Sequence, residues 1–222
     1  MKHKKTILAI IFALLFAVLA WILIDYRNKI KVAGTPDLPP DVLFQDDFSD
    51  PSSGWDRAEI EGSIANYLDE QYHILVNESH MNVWTNPGLD FGDVAIEVEA
   101  TKIGGPDDSD YGIICRYHDI SNFYYVVIDS SGYYAIAKMV DREPKIIGFD
   151  EFEFSNAIKQ GNATNTVRFD CVGSEFKLSI NGEEVHAVED DTFSSGDVGL
   201  IVGTYDTAGA DVLFDNFVVR KP

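Results

Sequence analysis

Residues 111–140, YGIICRYHDISNFYYVVIDSSGYYAIAKMV, decide how the rest of the chain is read. Apolar side chains recur at alternate positions in three short runs, separated by Asp119-Ile-Ser-Asn122 and by Ser130-Ser131, both turn-forming. The stretch predicts three antiparallel strands joined by tight turns. With His118 opposite Phe123 and a two-residue turn at Ser130-Ser131, Arg116 faces Tyr125 and Cys115 faces Val126. The same register sets Tyr125 against Ile136 and Phe123 against Lys138. Alternation then sorts the faces. Tyr111, Ile113, Cys115, Tyr117, Tyr124, Val126, Ile128, Tyr133, Ala135, Ala137 and Met139 share one face, which carries no charge and reads as core. Arg116, His118, Phe123, Tyr125, Asp129, Tyr134 and Lys138 share the other, which meets water or a ligand.

The flanking sequence continues the pattern. Strands are expected at residues 42–48, 72–76, 82–84, 94–100, 145–149, 167–172, 176–180, 184–188, 196–203 and 211–219. Val94, Ile96 and Val98 alternate with Ala95, Glu97 and Glu99, as a half-buried strand requires. Asn181-Gly182 is a two-residue hairpin signal, and residues 155–160 suggest a single helical turn. Many short strands with regularly spaced turns predict an all-β fold, a sandwich or a barrel. The alternation of residues 167–172 turns Cys171 inward, as it does Cys115. The two are either a buried disulfide or separate buried thiols, since spacing alone does not place them within bonding range.

The amino-terminal part differs in kind. Residues 7–24, ILAIIFALLFAVLAWILI, form an unbroken apolar run that follows Lys2, Lys4 and Lys5. That length suits a membrane-spanning helix and exceeds a usual signal-peptide core. Residues 1–31 therefore read as an uncleaved anchor with basic flanks. Residues 32–41, VAGTPDLPPD, read as a Pro-rich spacer, and residues 42–222 as the globular domain. The expected topology is single-pass, with the N-terminus cytoplasmic and the C-terminal domain extracytoplasmic.

The whole chain has 222 residues and a formal net charge of −20. Six of its 17 basic residues lie within residues 1–31 beside Asp25 alone, so the rest carries 11 basic and 36 acidic residues, a net −25. Such a surface repels nucleic acid. Two cysteines exclude a disulfide-rich scaffold and a four-cysteine zinc site.

The runs Tyr111-Gly-Ile-Ile-Cys-Arg-Tyr117, Asn122-Phe-Tyr-Tyr125 and Gly132-Tyr-Tyr134 resemble the concanavalin A-like lectin/glucanase superfamily. Ser195-Gly-Asp-Val-Gly-Leu-Ile-Val-Gly203 and Phe214-Asp-Asn-Phe217 carry the same likeness. The pattern is most similar to bacterial extracytoplasmic domains of the laminin G-like and 3-keto-disaccharide-hydrolase-like type, and it covers residues 43–219. The resemblance implies a two-sheet antiparallel jelly-roll sandwich whose concave sheet presents the polar-aromatic face. It also implies a structural calcium ion near the first and last strands, where Asp46, Asp47 and Asp215 are hard oxygen donors. Asp107, Asp108 and Asp110 form a second acidic stretch of that chemistry.

For catalysis the sequence offers little. The E-x-D-x-x-E strand of laminarinase-type members is absent, and Glu97 and Glu99 are followed by Thr101 and Lys102. No histidine sits in a nucleophile or HExxH context. Carbohydrate binding needs aromatic platforms and planar hydrogen-bonding groups. Arg116, Phe123, Tyr125, Asp129, Tyr134 and Lys138 are the expected ligand-binding residues. The sequence thus suggests a membrane-anchored, non-catalytic module binding a glycan or another envelope component. The alternative is an accessory subunit whose helix docks into a membrane-protein complex; a glycosidase is the third reading.

Overall fold

The computed structural model describes residues 38–60 and 62–222; the expected anchor, and the spacer as far as residue 37, lie outside them. Residues 41–222 form one compact unit. Among the described residues no helix is long and apolar enough to cross a membrane.

The unit is built from strands: β1 (Val42–Asp46), β2 (Ala58–Ile60), β3 (Ser63–Leu68), β4 (Gln71–Val76), β5 (Asn82–Thr85), β6 (Val94–Gly104), β7 (Asp110–Asp119) and β8 (Asn122–Asp129). There follow β9 (Tyr133–Val140), β10 (Glu143–Ile146), β11 (Glu153–Phe154), β12 (Thr164–Val172), β13 (Glu175–Ile180), β14 (Glu183–Glu189), β15 (Asp197–Gly203) and β16 (Ala210–Arg220). The expected helical turn at residues 155–160 is a non-helical turn. A nine-stranded sheet runs β14-β13-β12-β6-β16-β4-β3-β2, with β1 also on β16. A seven-stranded sheet runs β10-β9-β8-β7-β15-β5, with β11 also on β9. The ladders are antiparallel throughout.

The principal core lies between the sheets. Val94, Ile96 and Val98 of β6 and Val167, Phe169 and Cys171 of β12 meet Tyr111, Ile113, Cys115, Tyr124, Val126 and Ile128 there. Cys115 and Cys171 form a disulfide that joins β7 of one sheet to β12 of the other. Trp55 is buried in the same core and donates from Nε1 to Asp46 Oδ2 at 2.9 Å.

The central meander is where sequence and structure part. Cys115 pairs with Tyr124, and Asp119 with Asn122, so three β7 residues lie against one residue of β8. Arg116 sits in this bulge at φ 51°. The bulge breaks alternation. Arg116 consequently turns inward beside Cys115, with its guanidinium carbon 5.1 Å from the Phe176 ring centre, while Tyr117 turns out. The second turn is longer than two residues. Ile128 pairs with Tyr134 and Tyr125 with Ala137, one residue away from the alternation-based register. The cause is local: Gly132 adopts φ 106°, and Asp129 Oδ1 accepts the N–H groups of Ser131, Gly132 and Tyr133. A one-residue slip exchanges the faces of a strand. Tyr134 and Ile136 therefore face the principal core. Tyr133 is exposed, and Ala135 and Met139 join the outer face.

Candidate functional site

The outer face of the seven-stranded sheet carries its own apolar layer. Ile114, Phe123, Val127, Ala135 and Ile201 are buried there, with Trp84, Tyr117, Tyr125, Met139, Ile146, Phe149 and Phe152 packed around them. Two of the six expected ligand-binding residues, Phe123 and Tyr125, belong to it. The other four lie elsewhere, each with structural partners. Arg116 is inside the sandwich end; Nη1 donates to the Phe193 carbonyl at 2.7 Å and Nη2 to Asp93 at 3.2 Å. Lys138 pairs with Asp190, which also accepts from Tyr124. Burial alone raises the Asp190 carboxyl; Lys138, Thr192 and Tyr124 more than offset this and hold it well below the usual carboxylate range. Tyr134 Oη lies 3.2 Å from His186 Nδ1 and donates weakly to Glu153. Asp129 caps its own turn. The structure does not gather these four residues at one site.

The outer face instead contains a cleft of about 410 Å³. Val127, Ala135, Ala137 and Ile201 line it with small and medium apolar groups, and Tyr125, Phe152 and Tyr205 supply rings. Its polar lining includes Asn82, Asp110, His80 and Lys145. Phe152 and Tyr205 meet edge-on, with centroids 6.4 Å apart. His80 stands 3.4 Å from the exposed carboxylate of Asp206.

Asp110 is the chemically distinctive group. It starts β7, is 8% exposed, and pairs across the ladder with Gly203 of β15, which itself pairs with Asn82 of β5. Asp110 Oδ2 accepts from Tyr205 Oη at 2.8 Å. Burial pushes the carboxyl up to about 6, against the hydrogen bond from Tyr205; the nearby Asp129 pushes in the same direction as burial. Burial likewise raises the phenols of Tyr125 and Tyr205, and Asp110 adds to both shifts. Gly203 is required here for a spatial reason. A Cβ at this position would collide with Asp110 Oδ1 and Asn82 Oδ1, which converge above it from the two neighbouring strands.

Asn82, Tyr205 and Phe152 were not expected from sequence, and Asp110 was expected only as part of an acidic calcium-binding stretch. The available signal was Gly203 at the end of the Val198–Val202 run, because strand glycines mark close approach of other groups. Of that acidic stretch, Asp107 pairs with Lys102 at 2.7 Å and Asp108 is exposed.

The carboxylates expected to hold calcium do not converge. Asp46 is buried and spends Oδ1 on the Phe48 N–H and Oδ2 on Trp55. Asp47 is exposed and binds Ser49. Asp47 and Asp215 share a shallow acidic pocket with Asp69 and Glu70, without Asp46. Among the described residues no group of three His, Cys, Asp or Glu is arranged to hold a metal ion.

No protein-family model matches the chain, and no curated protein matches it. Solved structures do. The architecture is that of the concanavalin A-like jelly-roll sandwiches. Carbohydrate-binding module CBM66 from Bacillus subtilis superposes with a TM-score of 0.62 at 18% identity, covering 76% of this chain and 96% of that one. A Bacillus subtilis protein of unknown function with a galectin-like fold gives 0.63 at 12% identity, covering 82% and 96%. The Bacillus licheniformis β-glucanase gives 0.59 at 10% identity, covering 83% and 100%. At these identities the likeness is one of fold.

Proposed function

We propose that this protein is a non-catalytic glycan-binding module whose site is the cleft on the outer face of the seven-stranded sheet. The observation that carries the reading is the cleft itself. A buried, oriented carboxylate and an amide stand beside ring-bearing walls. That combination suits sugars, which offer hydroxyls at their edges and apolar C–H groups on their faces. A carbohydrate-binding module among the similar folds is consistent with it.

Binding without hydrolysis is favoured by the carboxylate inventory. Glycoside hydrolysis uses two carboxyl groups across the scissile bond. Among the cleft-lining residues Asp110 is the only carboxylate. Its neighbour Asp129 is held by the turn it caps. The proposed setting is the outer side of a membrane, with residues 7–24 as the tether. The apolar run supports the tether, and the inter-sheet disulfide suits an oxidising compartment.

The test is a glycan array probed with the full chain in mild detergent, alongside Asp110→Asn and Tyr205→Ala variants that retain the wild-type circular dichroism. Binding of a defined glycan by the wild type and its loss in both variants supports the site. Binding that survives both variants, or hydrolysis of the bound glycan, overturns the proposal.

A further inference from the structure

The aromatic residues of the outer face extend beyond the cleft. Tyr125, which lines it, lies 5.6 Å from Phe123; Phe123 lies 6.1 Å from Trp84 and 5.6 Å from Tyr117. Trp84 Nε1 donates weakly to Tyr117 Oη at 3.4 Å, so the two rings are neighbours. Phe123 is buried beneath, while Trp84, Tyr117 and Tyr125 are half-buried around it. The track therefore leads from β8 towards β5. A polar row accompanies it across β7, β15 and β5: Asp110, Gly203 and Asn82 are register neighbours. Asn82 is two residues from Trp84 on β5, hence on the same face. Its side chain is exposed and makes no hydrogen bond among the described residues. Gly203 lets the Asp110 and Asn82 oxygens converge.

We propose that the cleft and this track are one binding surface, and that its ligand is a chain of neutral sugars lying across the strands, not a single terminal sugar. This rests on the cleft being the glycan site. Asp110 and Asn82 receive hydroxyls along one flank, and the Tyr125 and Trp84 rings meet sugar faces along the other. Charge favours neutrality: Lys145 and His80 also line the cleft, but a uronate would bring a second carboxylate to Asp110 in a part of the chain carrying net −25 over residues 32–222.

The experiment uses the full chain in mild detergent and neutral gluco-, manno-, galacto- and fructo-oligosaccharides of increasing length, with matched oligouronates. Calorimetric titration then compares wild type, Trp84→Ala, Trp84→Phe and Asp110→Asn. A neutral series should bind with affinity that rises with length. Trp84→Ala should lose that rise, roughly three- to tenfold for the longer members, and leave the shortest unchanged. Trp84→Phe should keep most of the gain, which separates loss of the platform from misfolding. Asp110→Asn should weaken every length alike. Length-independent affinity, equal loss at all lengths in Trp84→Ala, or a preference for uronates overturns the chain-binding proposal while leaving the cleft. Absence of binding to every member overturns the reading of the cleft, and this proposal with it.

Discussion

Replacing Asp110 by Asn tests the electrostatics of the cleft apart from any ligand. The carboxyl is raised from an ordinary 3.8 to about 6, chiefly by burial. A raised carboxyl stabilises the folded chain fully only below its unfolded value, where both states are protonated. As pH rises from about 4 to about 6 the unfolded chain ionises first, and stability is lost progressively until the folded-state carboxyl has ionised as well. About two units correspond to about 3 kcal/mol, a large fraction of a stability of about 5–15 kcal/mol. Asn has nearly the same shape, still offers Tyr205 an oxygen, and does not titrate. The stability of Asp110→Asn minus that of wild type should therefore rise by about 3 kcal/mol between about pH 4 and about pH 7. Urea unfolding followed by tryptophan fluorescence, to which the core residue Trp55 contributes, measures this at each pH, and the subtraction cancels the other titrating groups. A difference that is flat with pH, or that falls, refutes the argument.

Other outcomes follow from the same contacts. Replacing Cys115 and Cys171 together by Ala should destabilise by about 4 kcal/mol on loop-closure grounds, given their separation of 56 residues, as measured by urea midpoint. Lys138→Met should cost about 2 kcal/mol at neutral pH, because the half-buried Asp190 would lose its cationic partner and keep only the hydroxyls of Tyr124 and Thr192. Asp190 is lowered, so its contribution is present above its unfolded value and lost as pH falls through the folded one; the defect should shrink on acidification. Arg116→Met should alter thermal stability but not the affinity of a cleft ligand, since Arg116 faces the principal core side of the sheet; calorimetric titration separates the two effects. Gly203→Ala should abolish binding through displacement of Asp110 and Asn82, seen as altered side-chain shifts of both residues by NMR.

How far the sequence could be read depended on where the physics is local. Strand faces follow from alternation within one strand. Val94, Ile96 and Val98, and Val167, Phe169 and Cys171, accordingly face inward as their pattern suggests. Register across strands depends on turn length, and there alternation is silent. One positive-φ glycine, Gly132, lengthened a turn by a residue and carried Tyr134 and Lys138 to the other side. The Arg116 bulge did the same for Arg116 and Tyr117. The hairpin of β3 and β4 turns on Asp69-Glu70, both at positive φ, where sequence reading looks for Asn or Gly. The candidate site was half legible for the same reason. Phe123 and Tyr125 lie on the meander and were readable, whereas Asn82, Asp110 and Tyr205 come together only through pairing of distant strands.

A structure of the full chain with the oligosaccharide that binds tightest in the titrations tests the proposed glycan site at Asp110. A sugar ring should lie against Tyr125 or Tyr205, with hydroxyls in hydrogen-bond reach of Asp110 and Asn82. A glycan seated on the nine-stranded sheet, or on loops away from Asp110, would contradict it.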